Sequence, residues 1–404
     1  MKRRKLNNFI KLLIELKKNA YNLITCMHAC MDAWMHALMQ SCSHAKFWFT
    51  LSFMMAAVLV IGCGDKFDIG QLAASQGNAN IAGDTLYIQL NPPWNGFNQP
   101  EDMIVGREPF IYVADTYNDR IVMMNLNGSI LGTRQIRRPV ALAQDYKLNL
   151  IVCAQLDTVV NGITQTYGAL YKIDLVTAEH HIDEAPITRL LPRVMDFKYP
   201  DRRYTGIAVF YNNIFYVART GPANTSFVDP DNSILYFVPR ELFGGGEGDT
   251  LIGRVPNIDP ISSGLVSANQ ISSLTSFNKK SIDFIETLTG NNSLKTQWLH
   301  YVQTQVSEGY VAQLTPSDGG DLMTPNKFSQ PEGSCIDNSG NIFIADAGKD
   351  SVFKFTPLGD ELQSFGGPAV FNHPYAVAFF DKTLYVVDRD NNRILRFILS
   401  TDLR

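Results

Sequence analysis

The chain has 404 residues, of which 45% are hydrophobic and 18% charged, with a formal net charge of −4. This composition is ordinary for a globular protein and excludes wholesale disorder, while the length allows a large core. A balance on the acidic side disfavours a protein that grips nucleic acid through its charge.

From the N-terminus, a basic start (Lys2, Arg3, Arg4, Lys5) leads into a stretch holding Cys26, Cys30 and Cys42 with His28, His36 and His44. The spacing of those six matches no closed metal site. Phe47 to Gly62 follows, sixteen residues without a charge, preceded by Lys46 and followed at once by Cys63. A membrane-spanning helix needs roughly 20 residues. A basic region, an apolar stretch of this length and a small residue before a break are instead the parts of a secretory signal peptide.

Val60-Ile61-Gly62-Cys63 resembles the lipobox of bacterial lipoproteins, in which cleavage falls before the cysteine and a lipid is attached to its sulfur. The resemblance implies lipid attachment at Cys63 and a lipid-anchored place in the bacterial cell envelope, at the outer membrane or on the periplasmic face. The alternative is an uncleaved N-terminal anchor. The region before Lys46 is long for a signal peptide, and initiation at Met27, Met31, Met35 or Met39 would shorten it. Residues 1–62 are thus expected to be a signal peptide, 63–83 a tether and 84–404 the folded domain.

Loss of residues 1–62 removes eight Lys/Arg and two Asp/Glu, leaving 27 basic against 37 acidic residues, a balance of −10. No nucleic-acid partner is expected. The Gly-, Ala-, Ser-, Asn- and Gln-rich tether would span about 25 Å as a random coil. Beyond Cys63 only Cys153 and Cys335 remain, each within an apolar strand pattern of a different repeat, so they read as buried small hydrophobes and not as a disulfide pair.

Internal repetition decides the rest. Pro100-Glu101-Asp102 leads to Tyr112-Val113-Ala114-Asp115 and then Asn118-Asp119-Arg120-Ile121. Pro331-Glu332-Gly333 leads to Phe343-Ile344-Ala345-Asp346 and Val352-Phe353. His373-Pro374-Tyr375 leads to Tyr385-Val386-Val387-Asp388 and Asn392-Arg393-Ile394. Pro to Asp is 15, 15 and 14 residues, and Asp to the next apolar residue is 6 each time. Each apolar run is short, rich in β-branched and aromatic residues, and bounded by turn formers such as Asp337-Asn338-Ser339-Gly340-Asn341. Such runs are strands.

This pattern resembles the NHL repeat, best over Pro331 to Phe355, and the resemblance implies an all-β, six-bladed β-propeller of NHL type. Radial stacking is the physical counterpart, because one blade cannot bury both of its faces alone. Weaker copies supply the middle blades: Pro139–Ala143, Leu150–Ala154 and Ala169–Ile173; Thr205–Val209, Ile214–Ala218 and Ser233–Phe237; Ile271–Phe277, Ser281–Thr287 and Gln297–Val302. The last repeat lacks a strand and Thr85–Leu90 is a strand without a partner, so the early strand is expected to complete the final blade and remove an open edge.

The Asp at the end of each second strand (Asp115, Asp346, Asp388) is read as a turn-capping group. Residues at the start of the innermost strands, Glu101, Asp102, Arg138, Tyr204, Glu332, His373 and Tyr375, should line one mouth of the channel, and Arg219, which stands where a second strand would end in Asp, is counted with them as a ligand rim. Long connections in blades two to four (155–167, 219–232, 288–296, with links 191–203, 256–270 and 316–330) should emerge on the same face, where binding surfaces tend to lie. No cofactor is called for. His373 with Glu101 and Glu332 is the one constellation that could take Ca²⁺ or Zn²⁺.

The expected function is a non-catalytic binding or scaffold module for a protein, peptide or glycan. The competing expectation, drawn from lactonases and streptogramin lyases on related propellers, is a metal-dependent lyase or hydrolase at the channel mouth.

Overall fold

The computed structural model describes residues 86–402 apart from positions 278 and 307. The expected signal peptide, Cys63 and the tether lie outside the described residues. Contacts divide the chain at Asp84/Thr85, and every described strand lies in the second unit.

That unit is a six-bladed β-propeller of four-stranded antiparallel sheets. The chain enters through β1 (Tyr87–Asn95) and then builds blade 1 from β2 (Asp102–Val105), β3 (Ile111–Asp115), β4 (Arg120–Met124) and β5 (Ile130–Gln135). Blade 2 holds β6 (Ala141–Gln144), β7 (Leu150–Val160), β8 (Ile163–Ile173) and β9 (Ile187–Leu191). Blade 3 holds β10 (Arg203–Val209), β11 (Phe215–Thr220), β12 (Ser233–Pro239) and β13 (Asp249–Arg254). Blade 4 holds β14 (Ile271–Ser276), β15 (Phe284–Leu288), β16 (Thr296–Gln303) and β17 (Glu308–Ala312). Blade 5 holds β18 (Pro331–Ile336), β19 (Ile342–Asp346), β20 (Ser351–Phe355) and β21 (Glu361–Gly366).

Blade 6 combines β22 (Pro374–Phe380), β23 (Thr383–Asp388) and β24 (Arg393–Leu399) with β1 as its outer strand, Tyr87 opposite Leu399. The ring is closed by the early strand, as the unpaired run implied. Pro92 and Pro93 sit where β1 shifts register between Leu90 and Trp94. An outer strand tolerates proline because only one side of it must donate to a ladder.

The apolar runs are continuous because the second strand of a blade is covered on both faces. In β3, Ile111 and Val113 enter the seam with blade 6, while Tyr112 and Ala114 enter the seam with blade 2. Each of the six apolar clusters fills one seam between neighbouring blades. At about 2 kcal/mol for each fully buried Ile or Phe, these seams dominate the stability of the ring. Gly333 allows the closest approach of inner strands, since a Cβ there would lie 2.5 Å from the Tyr375 carbonyl oxygen.

Asp115, Asp346 and Asp388 are fully buried fasteners. Asp346 accepts the N–H groups of Ser329 and Gln330, each at 2.8 Å, and of Gly348 at 3.1 Å. Asp115 takes the N–H of Asn98 and the Arg120 side chain, and Asp388 that of Asn372 and the Arg393 side chain, all at 2.7 Å. Cys153 is buried and Cys335 half-buried, and both are free. Cys335 packs against the apolar seam between blades 5 and 6 and also borders the channel.

Candidate functional site

The inner strands of all six blades enclose a central channel with a cavity of about 1020 Å³. Antiparallel strand order puts the starts of the inner strands at one mouth, together with the second-to-third strand links and the links to the next blade. At that mouth Glu101, Asp102, Glu332 and Tyr375 line the cavity. Arg389, immediately after the fastener Asp388, reaches Glu101 at 3.3 Å and Asp390 at 2.8 Å, and its guanidinium lies 4.7 Å from the centre of the Tyr375 ring.

Burial sets the proton affinity of these acids. It pushes Glu332 up to about 7, against the opposing pull of the hydrogen bond from Gln330, with the neighbouring charge of Glu101 adding to the rise. Asp102 is pushed up to about 6 by burial, although its carboxylate accepts the N–H of Leu142 at 2.6 Å and of Met103 at 2.7 Å. Glu101 is raised by burial too, less so because Arg389 faces it. The mouth is therefore a collar of buried carboxyls whose proton affinities are all raised, with the Arg389 guanidinium set into it.

The other rim residues do not line the cavity, though Arg138 and His373 stand next to it. Tyr204 is 4% exposed and packs in the seam between blades 2 and 3. Arg138 and His373 have φ of 46° and 54°, and it is their backbone N–H groups that matter: they donate to Asp119 at 2.9 Å and Asp350 at 2.8 Å. The Arg138 guanidinium stacks on Tyr117 at 3.5 Å, and the His373 ring faces Asp390 at 3.0 Å. Among the described residues no group of three or more His, Cys, Asp or Glu is placed to hold a metal ion, so His373, Glu101 and Glu332 do not form the metal constellation imagined for them.

Arg219 is buried and serves the loop between β11 and β12. It donates to Asp229 at 2.6 Å and to the carbonyls of Pro230 and Asp231. Arg202, equally buried, holds Asp231 at 2.7 Å and Asp229 at 2.9 Å. Arg254 at the end of β13 donates to the carbonyls of Val228 at 3.0 Å and Phe227 at 2.9 Å. The loop is thus fixed from three sides, yet Phe227 is 92% and Val228 79% exposed. Beside it, in the link to blade 3, Val194 and Met195 are also exposed, and Met195, Val228 and Arg254 border a recess of about 290 Å³.

Residues 155–167, expected to form a loop, instead extend β7 and β8 as an eleven-residue hairpin on each side, paired to Val160 opposite Ile163. Its turn is Asn161-Gly162 with φ of 52° and 79°. That dipeptide between alternating residues is a hairpin signal and was the available clue. The sequence reading does not single out Arg389 or the Asp119, Asp350 and Asn392 acceptors, although the three acceptors each stand four residues after a strand-ending Asp and Arg389 directly follows one.

The ring and its acid-lined channel define the class as a six-bladed β-propeller. No family profile matches the chain, and no curated protein matches it. Solved structures do. An auxiliary nutrient binding protein from Bacteroides thetaiotaomicron is similar at 10% identity, over 75% of this chain and 70% of that one, with a TM-score of 0.52. A protein assigned as a gluconolactonase is similar at 12% identity over 78% of this chain and 93% of that one, with a TM-score of 0.50. A luciferin-regenerating enzyme is similar at 11% identity over 78% and 95%, with a TM-score of 0.50. At such identities the likeness is one of fold.

Proposed function

We propose that this chain is a lipoprotein of the bacterial cell envelope, anchored through Cys63, whose NHL-type propeller is a binding module for a protein, peptide or glycan. The partner meets the loop-bearing face of blades 2 to 4. The observation that carries this reading is the display of Phe227 and Val228 on a loop locked by Arg202, Arg219 and Arg254. Holding bare apolar side chains in water has no benefit to the free molecule, and rigid display lowers the entropy lost on binding.

Two measurements test it in cells producing the full chain. Labelled palmitate should enter the protein and Cys63→Ser should abolish its incorporation; an unlabelled wild-type protein overturns the anchor. A photo-cross-linking amino acid at position 227 should give a discrete adduct, and one at Leu358, exposed in blade 5 on the other face, should not. Equal adducts from both positions, or none from 227, overturn the binding face.

A further inference from the structure

We infer that the recess bordered by Met195, Val228 and Arg254 receives an acidic polypeptide segment presenting a bulky apolar side chain. This rests on the binding-module reading and narrows it to one class of partner.

Shape comes first. The recess lies between the link that enters blade 3, the loop 221–232 and the outer strand β13, with Leu235 and Leu251 among its walls. Its volume of about 290 Å³ accommodates one large side chain but is small for a drug-sized ligand. Met195 and Val228, 62% and 79% exposed, form its apolar lip, and the exposed Val194 and Phe227 adjoin them in the chain.

Charge decides the partner. Five cations line the recess, Arg193, Lys198, Arg202, Arg219 and Arg254, against the carboxylates of Asp196 and Asp229. Arg193 is paired with Asp196 at 3.2 Å, and Arg202 and Arg219 share Asp229. Among the described residues Lys198 and Arg254 have no carboxylate within ion-pair distance; Lys198 lies 4.9 Å from the Tyr199 ring centre and Arg254 serves two carbonyls. Two uncompensated positive charges thus flank an apolar lip on a chain whose formal net charge is −4. Complementary charge speeds encounter and fixes register, while the apolar anchor supplies the holding energy.

A sugar is a poorer fit, because the Tyr199 ring inside the recess already carries the Arg202 guanidinium at 3.6 Å. A second copy of this chain is also poorer on charge, since its net balance is acidic but its own recess lip is cationic.

The test is selection of a random dodecapeptide library on the immobilised full-length chain, followed by anisotropy titration of the winning peptide. Selected peptides should carry Asp or Glu beside Leu, Ile, Phe or Met, and affinity should fall with added salt. Lys198→Glu, at an exposed position outside the loop's hydrogen bonds, should weaken binding about tenfold, and Phe227→Ala by a similar factor. Enrichment of neutral or basic peptides, no enrichment at all, indifference to Lys198→Glu, or self-association abolished by Phe227→Ala overturns the inference. If position 227 still gives its discrete adduct in cells, the binding face survives and only the acidic class has failed.

Discussion

The carboxylate of Asp119, closing the one-turn helix after β3, accepts the backbone N–H of Arg138 at the entry to blade 2, 2.9 Å away. Asp350 does the same for His373 at 2.8 Å and Asn392 for Gln99 at 2.7 Å, so blades 1 to 2, 5 to 6 and 6 to 1 are tied alike. The three acceptors have φ of 52°, 48° and 56°, and the donors have positive φ as well. Asp and Asn tolerate that left-handed backbone better than most residues. Each latch lies four residues beyond a strand-ending Asp, which makes D-x-x-x-[DN] a blade-joining signature.

Removing one latch should cost about 1 kcal/mol, since one partly exposed hydrogen bond is lost. Asp119→Ala and Asn392→Ala, which share no hydrogen-bond partner, should combine additively in urea unfolding. A cost near zero for both would show that the latches are incidental.

Asp346→Ala is expected to cost more, about 3 kcal/mol, because three N–H donors lose a buried acceptor at once. Urea unfolding reads this directly. Asp346→Asn should recover part of the loss, since its amide oxygen still accepts.

Glu286 sits in β15 with both carboxylate oxygens buried and unpartnered, where the equivalent strand positions hold Val113, Val217, Ile344 and Val386. Burial raises its proton affinity well above the ordinary 4.5. Above that pH the unfolded chain releases the proton and the folded chain keeps it, so stability falls as pH rises. Glu286→Leu should raise Tm at mildly alkaline pH and raise it less in acid. A gain independent of pH would mean that packing, not ionisation, is the cause.

Glu332 gives the same sign over a defined window. Its carboxyl is raised from 4.5 to about 7, so its contribution is fully present below 4.5 and is lost as pH climbs through 7. The wild type should lose Tm across that window relative to Glu332→Gln. Parallel curves for the two proteins would remove Glu332 from the account.

Arg219→Met should leave β11 paired but release the loop it holds, and limited proteolysis should then cut within 221–232 much faster than in the wild type. An unchanged rate would mean that Arg202 and Arg254 suffice.

The fold was legible chiefly in blades 1, 5 and 6. There the fastener Asp and the latch residue are spelled by side chains, and those three repeats are the ones with regular spacing. Blades 2, 3 and 4 lack that spelling: Gln155, Arg219 and Leu288 stand where Asp would, and their loops are tied by other means. Four rim residues, Glu101, Asp102, Glu332 and Tyr375, could be placed because strand polarity fixes which ends meet the channel. Arg138 and His373 stand beside the collar without lining the cavity, on Tyr117 and Asp390, the groups that Arg389 also meets, and their blade-joining role runs through a backbone N–H at positive φ that side-chain identity does not advertise. Tyr204 was misplaced because alternation along β10 turns it into a seam.

Leu86 donates its backbone N–H to the Ser400 hydroxyl, a contact across 314 residues of sequence. During synthesis, then, the first described strand waits for the last described one. Until β24 is made, β1 has no sheet to join, and the seams of blade 6 with blades 1 and 5 lack Ile394, Leu395 and Phe397. Ring closure is a late event with the longest loop in the domain to close, and the nascent chain spends most of its synthesis as an open arc. Folding helpers that shield strand edges would act on this protein before its C-terminus is released, and a truncation of only its last seven-residue strand would leave two unpaired edges at opposite ends of the chain.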